Sequence, residues 1–344
     1  MSPSARKRGS RNEAGRHAPH LSVSIVILTY NRLQSLTEVL DALEADAVIA
    51  TDTDGHLTGS AQGLVSEVLV VDNCSTDGTA DYLSRKNQRI VHVRMKRNVG
   101  VVARNYGLER ASSDIVICLD DDVLGLTPGH VAHIVARFAN EPRLGGLNFQ
   151  VIDHFTECLT NWVHHRPMED ANERFATYEI TEGAVALRKE AVSKVGYYHD
   201  AYFISHEGPD MAYRLMNADY SVEYDGAVVV RHKHEQTGRE KWRFYYYDMR
   251  NALWLAARNM PLSSALWYLL RTTGAMFVYA ARDGYLHWWL KGIWDGCLGL
   301  RSAWRTRQVW TRQTRARVRE IDRHRPPWWR IAWRRLRRPT NRLD

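Results

Sequence analysis

Three adjacent carboxylates, Asp120-Asp121-Asp122, follow the apolar run Ile115–Leu119. At the end of a buried strand such charges repel one another and cost stability unless a cation compensates them. Carboxylates together with water and phosphate oxygens suit a hard divalent ion, Mg²⁺ or Mn²⁺. Extended backbone points Asp120 and Asp122 to one side and Asp121 to the other. One face can then hold ribose and metal while the middle residue is structural. Asp72, just past the run Val68–Val71, is a single carboxylate. It reads as an acceptor for the imide N–H of a base rather than as the cap of the next helix, a task that Thr76 or Asp77 fits better. Arg104 lies near the start of a helical segment, where it either reaches phosphate or ribose or pairs with an acid.

These residues need strands and helices to carry them. Val23–Leu28 is short, apolar and β-branched, as a strand buried on both faces is, and it ends in Thr29-Tyr30-Asn31-Arg32. Leu33, Leu36, Val39, Leu40 and Leu43 then recur at helical spacing. Val68–Val71, Ile90–Val93 and Ile115–Leu119 repeat the strand pattern, with helical segments over Thr76–Ser84 and Val101–Arg110 between them. Strand alternating with helix implies βαβ units, a mostly parallel sheet flanked by helices, and ligands at the carboxyl ends of the strands. Asp46–Gly63 reads as a polar insertion before the second strand. Gly183–Leu187 and Ala227–Val230 read as further strands and Asp210–Asn217 as a helix. The chain divides into a disordered basic arm (1–20), an α/β domain (21–240, with halves 21–124 and 125–240) and a helical tail (241–344).

Charge supports that division. The net charge of +8 separates into +4 over residues 1–20, +12 over 301–344 and −8 over the body between them. An acidic body that binds phosphate would borrow a cation from a metal. The four cysteines show no paired spacing, which points to reduced thiols in a cytoplasmic protein. The first twenty residues lack the apolar stretch of a secretory signal.

The order TYNR, VVDNCSTDGT, NVGVVARNYG and CLDDD resembles glycosyltransferase family 2, the inverting enzymes of the GT-A fold, over about residues 22–235. The resemblance implies a nucleoside-diphosphate-sugar donor, UDP or dTDP, a divalent metal and transfer to an acceptor hydroxyl. By matching position, Thr29, Tyr30 and Asp72 would hold base and ribose and Asp120 ribose or metal; Arg32, Arg104 and Asp121 are further candidates on the donor side. Asp122 would be the chief metal ligand, joined by Asp120 and by His232, which follows the run Ala227–Val230. Many relatives read Glu-Asp-x-Asp-Leu near the acceptor site, the Asp after Glu serving as general base. Here the stretch is Glu207-Gly208-Pro209-Asp210-Met211, and Gly208 stands at that position. One carboxylate within hydrogen-bond reach suffices as base, so Glu207 is the first candidate and Asp210 the second. Trp162, His164 and His165 are candidates to line the acceptor side. The departure at Gly208 also keeps open a family member without transfer activity that acts as a membrane-associated scaffold.

The tail has a different character. Eleven of the twelve tryptophans lie after Lys241, interleaved with arginine. Leu266–Leu300 is apolar and aromatic but broken by Arg271, Arg282, Asp283, Lys291 and Asp295, so no piece is long enough to cross a bilayer of roughly 30 Å. Amphipathic helices of this kind lie in the membrane interface, with Trp at headgroup depth and Arg on lipid phosphate. An anionic membrane surface, a glycan or lipid-linked acceptor, and a place at the inner face of the cell membrane follow as expectations. Nucleic acid is not expected as a partner, because the basic ends lie outside an acidic body. Neither a GxGxxG after the first strand nor a Gly-rich phosphate loop is present, which argues against a dinucleotide oxidoreductase and a nucleotidyltransferase.

Overall fold

The computed structural model describes residues 21–51, 57–59, 64–86, 90–160, 162–163, 165–181, 183–233, 240–327, 329–330 and 333. The basic arm, His164 and residues 334–344 of the tail lie outside them.

A ten-stranded sheet is the frame. Its parallel half comprises β1 (Val23–Thr29), β4 (Val65–Asp72), β5 (Val91–Arg94) and β6 (Ile115–Asp120). The interior strands β1, β4 and β6 are the β-branched runs, and they are buried on both faces because helices cover both sides of the sheet. The insertion before β4 carries a small ladder of β2 (Ala50–Thr51) and β3 (Leu57–Gly59). Helices α1 (Leu33–Ala45), α2 (Thr79–Arg85) and α3 (Arg104–Arg110) fill the connections. α2 starts three residues later than its composition suggests, and α3 is preceded by a 3₁₀ turn over Gly100–Ala103.

The second half completes the sheet with mixed directions. β7 (Val123–Leu124), α4 (Pro128–Asn140), β8 (Leu144–Asp153), β9 (Leu159–Thr160), β10 (Arg174–Ala176), β11 (Ala184–Arg188), α5 (Lys189–Val195), α6 (Glu207–Asn217) and β12 (Ser221–His232) follow in order. Across the sheet the strands run β10-β12-β8-β11-β6-β1-β4-β5, with β7 on β12 and β9 on β8. β11 lies antiparallel between β6 and β8.

Register makes a site possible. Leu28 pairs with Asp120 and Thr29 with Asp72, so three separate motifs leave the sheet side by side at one edge. β7 pairs antiparallel with β12, setting Val123 opposite His232.

The tail forms α7 (Trp242–Asn259), α8 (Leu262–Asp283), α9 (Leu286–Arg305) and α10 (Arg312–Asp322). Leu255, Ala256 and Met260 from α7 and its end, with Val318 and Ile321 of α10, join the core cluster of Val26, Leu69 and Met211 on one face of the sheet. α7 and α10 are therefore built into the α/β body. No helix among the described residues is long and apolar enough to cross a membrane.

Candidate active site

The loop after β1 is shaped by Asn31, whose backbone is left-handed (φ 53°). Its Oδ1 accepts from Thr76 N (2.7 Å), and its own N donates to Ser75 Oγ (2.9 Å). Asp77 Oδ2 accepts from Leu33 N (2.8 Å) and Asp77 Oδ1 from Thr79 N (3.2 Å), so one carboxylate serves the starts of both α1 and α2. Thr29 is buried and its carbonyl accepts from Asn73 N, while Tyr30 stays exposed beside it. Asp72 is fully buried. Its Oδ1 accepts from Ser75 N (2.7 Å), and its Oδ2 lies 3.7 Å from His92 Nε2.

The acidic run sits one strand away. Arg104, buried at the start of α3, donates to Asp120. Arg32 Nη1 lies 2.5 Å from Asp122 Oδ2 and 3.3 Å from Asp121 Oδ1. His232 Nε2 lies 2.9 Å from Asp122 Oδ1, held there by the β7–β12 pairing. Burial pushes the Asp121 carboxyl up to about 7; Arg32 opposes that rise, while the charges of Asp122 and Asp120 add to it. Asp120, Asp122 and His232 each present a ligand atom, and these atoms all lie within 4.8 Å of one another. Two carboxylates and an imidazole form a donor set that suits a divalent ion with an open side. Three adjacent carboxylates, two of them buried, form a concentration of negative charge that such an ion would relieve.

Gly183 was legible from sequence only as the start of a strand, yet it shapes this cluster. A Cβ at Gly183 would meet Asp120 Oδ2 at 2.2 Å, so only glycine leaves that carboxylate its place.

A line of contacts runs from the loop after β4 to α6. Asn73 Nδ2 donates to Asn98 Oδ1 (2.9 Å) and to the Gly100 carbonyl (3.0 Å). Gly100 is left-handed (φ 76°), and a Cβ there would lie 1.9 Å from the Phe203 carbonyl, which accepts from Val101 N. Beyond Phe203, Ser205 and His206 both have positive φ (77° and 71°), a costly backbone for residues with a Cβ. The tail holds them in it. Ser205 Oγ donates to Asp248 Oδ1 (2.7 Å), His206 Nε2 lies 2.8 Å from Tyr268 OH, and Asn251 Nδ2 donates to the carbonyls of Ile204 and Ser205 (2.7 and 2.8 Å). Glu207, the next residue, is the buried first residue of α6. None of Asp248, Asn251 and Tyr268 stood out in the sequence, because their partners lie more than forty positions away.

Asp210, the second candidate for the base, sits differently. It is fully buried; Oδ1 accepts from Arg258 Nε (2.8 Å) and Asn259 Nδ2 (2.7 Å), and Oδ2 from Arg214 Nε (2.8 Å). Burial alone would raise its pKa, but the guanidinium groups of Arg214 and Arg258 outweigh that and hold it at about 2. With both oxygens engaged and no exposed surface, it ties α6 to α7. Asp210→Ala would strand two buried cations and is expected to cost about 3–5 kcal/mol. A urea unfolding midpoint equal to the parent's would contradict that role.

Trp162 and His165, expected near an acceptor, are also buried. Trp162 packs edge-on to Phe175 and Tyr224, and His165 lies against Tyr178 with its Nδ1 3.3 Å from Glu179.

The sequence model described as Glycosyl transferase family 2 matches residues 24–196, half of the chain. The chain belongs to that family. Among curated relatives of this family 2 chain, the O-antigen chain rhamnosyltransferase WbaN of Salmonella anatum is 23% identical over 194 residues, covering 53% of the chain and 61% of WbaN. The chain spans less than two thirds of the length of the first curated relatives it matches. Of the solved structures, GalNAc-T7 with UDP, GalNAc and Mn²⁺ superposes with a TM-score of 0.57 at 14% identity, covering 89% of the chain and 58% of the other. S. aureus TarS 1–349 in complex with UDP-GlcNAc gives 0.53 at 16% identity, covering 89% and 90%. The fold is GT-A, as the motifs implied.

Proposed function

We propose that the protein transfers a sugar from a nucleoside-diphosphate sugar to an acceptor hydroxyl, with inversion at the anomeric carbon. The observation that carries this reading is the convergence of Asp120, Asp122 and His232 at the carboxyl edge of the sheet in a family 2 chain. Solved neighbours that contain UDP, UDP-GlcNAc or GDP-Man support a nucleotide-sugar donor, with UDP or dTDP as the proposed nucleotide.

Thr29, Tyr30 and Asp72 are assigned to base and ribose, and Arg104 fixes Asp120 for the same ligand. A divalent cation, Mg²⁺ or Mn²⁺, would be held by Asp122, Asp120 and His232 and would supply countercharge for the diphosphate leaving group. No acid is then required on the leaving group, and a single base serves the acceptor. Glu207 takes that role: its carboxylate accepts the hydroxyl proton as the oxygen attacks opposite the diphosphate. Asp210 keeps α6 in place. A glycan or lipid-linked acceptor at an anionic membrane surface fits the tryptophan- and arginine-rich tail. Gly208 favours a second reading, a non-transferring scaffold, and turnover separates the two.

The test is a screen of UDP-, dTDP- and GDP-sugars with Mn²⁺, read by thermal stabilisation and by release of the nucleoside diphosphate. A donor at a hundred times its Kd adds about 2.7 kcal/mol of stability, or several degrees in Tm. If no nucleotide sugar stabilises the chain or is turned over with either metal, the reading fails.

A further inference from the structure

α8 and α9 turn an apolar face outward. Leu266, Trp267, Leu270 and Phe277 of α8 and Trp294 and Leu298 of α9 are exposed, Trp267 by 70% and Trp294 by 67%. Six large apolar side chains exposed on one helical hairpin mark a surface that something covers. The opposite face is already engaged. In α9, Gly292, Gly296 and Gly299 lie against α7 so closely that added Cβ atoms would come within 2.5–2.6 Å of Tyr246, Leu253 and Trp254. This contact fixes which side of the hairpin looks outward.

The charges of the hairpin are mainly cationic. Arg271, Arg282, Lys291, Arg301 and Arg305 are exposed. The acids of the two helices, Asp283 and Asp295, accept from Tyr245 OH and Tyr246 OH of α7 and also pair with Arg282 and with Lys291 (2.8 Å), so the five cations of the hairpin exceed its two acids by three. At the rim, Arg315 of the arginine-rich α10 donates to Ser263 Oγ in the first turn of α8 (3.3 Å). An apolar face edged by a net excess of cations complements an anionic bilayer surface. It does not complement a neutral protein groove.

We propose that the outward face of the α8–α9 hairpin lies in the plane of an anionic phospholipid membrane, its apolar side chains among the acyl chains and its arginines on lipid phosphate. This deepens the membrane reading of the tail but is independent of sugar transfer, since lipid binding is measured without donor. The base-bearing loop is tied to this hairpin through the His206–Tyr268 contact, so a seated protein would open its acceptor side close to the bilayer.

The experiment is co-sedimentation of the full chain with vesicles of phosphatidylcholine alone and of phosphatidylcholine with phosphatidylserine. Binding to the anionic vesicles is expected, and Trp267→Glu with Trp294→Glu should weaken it at least about tenfold. Both side chains are largely exposed, so the circular dichroism and Tm of the double variant should match the parent's. Absence of binding to anionic vesicles, equal binding to neutral ones, or binding unchanged in the double variant would each overturn the proposal. So would a dimer that the double variant converts to monomer, because a second copy would then be what covers the face.

Discussion

Asp122→Ala is expected to abolish metal-dependent donor turnover while leaving the fold intact. Asp122 is 2% exposed and stands between a guanidinium and an imidazole, with Arg32 Nη1 2.5 Å from one oxygen and His232 Nε2 2.9 Å from the other. Removing it leaves Asp120 and His232 as a two-ligand remnant that would bind a hard divalent ion poorly. Countercharge on a departing diphosphate contributes several kcal/mol, and each 1.36 kcal/mol is tenfold in rate, so kcat/KM should fall by about a thousandfold or more. The fold should survive because β6 and β7 are held by backbone ladders to β1, β11 and β12 rather than by this carboxylate. Arg32 also keeps a partner in Asp121, 3.3 Å away. Titration calorimetry with Mn²⁺ reads the metal directly, and the Tm without metal reads the fold. A variant that kept parental turnover, or bound Mn²⁺ as the parent does, would remove Asp122 from the metal assignment.

The parts of the fold that sequence revealed are those whose signal is local. β1, β4 and β6 are unbroken β-branched runs because both their faces are covered, and the motifs at their ends are contiguous, so strand and motif were readable together. α1 announced itself through Leu33, Leu36, Leu40 and Leu43. What escaped depends on distant pairing. β7 meets β12 across more than ninety residues, and only that ladder places His232 against Asp122; the motif resemblance suggested the pairing, while spacing alone did not. β11 reads as any buried strand, and nothing in its composition shows that it runs antiparallel between β6 and β8. Asp210 looked like a helix N-terminal carboxylate open to chemistry. Its partners Arg258 and Asn259 stand 48 and 49 positions further on, in a segment whose own pattern suggested lipid. The tail shows the same limit. Its amphipathic period was visible, but which face packs was decided by the glycines of α9 meeting α7.

Glu207→Gln should leave donor binding near the parent's and remove transfer. The substitution keeps size and shape and retains a hydrogen-bonding oxygen, but an amide does not accept the acceptor's proton. Loss of a positioned base lowers the rate by about 10²–10⁴-fold. The residues proposed to bind the donor, Thr29, Asp72, Arg104 and Asp120, lie on the β1, β4, α3 and β6 side, so the Mn²⁺-dependent stabilisation by donor should persist while kcat collapses. The backbone argues for the same residue. Two consecutive positive-φ residues, Ser205 and His206, immediately precede Glu207, and Asp248, Asn251 and Tyr268 hold them in that strained form. Such strain is retained where a neighbouring side chain must be aimed. Asp210→Asn is the control that separates base from scaffold: weakening the buried pairs to Arg214 and Arg258 should lower stability and activity together. If Asp210→Asn instead lost transfer at parental stability while Glu207→Gln kept it, the proton would go to Asp210 and the assignment of Glu207 would fall.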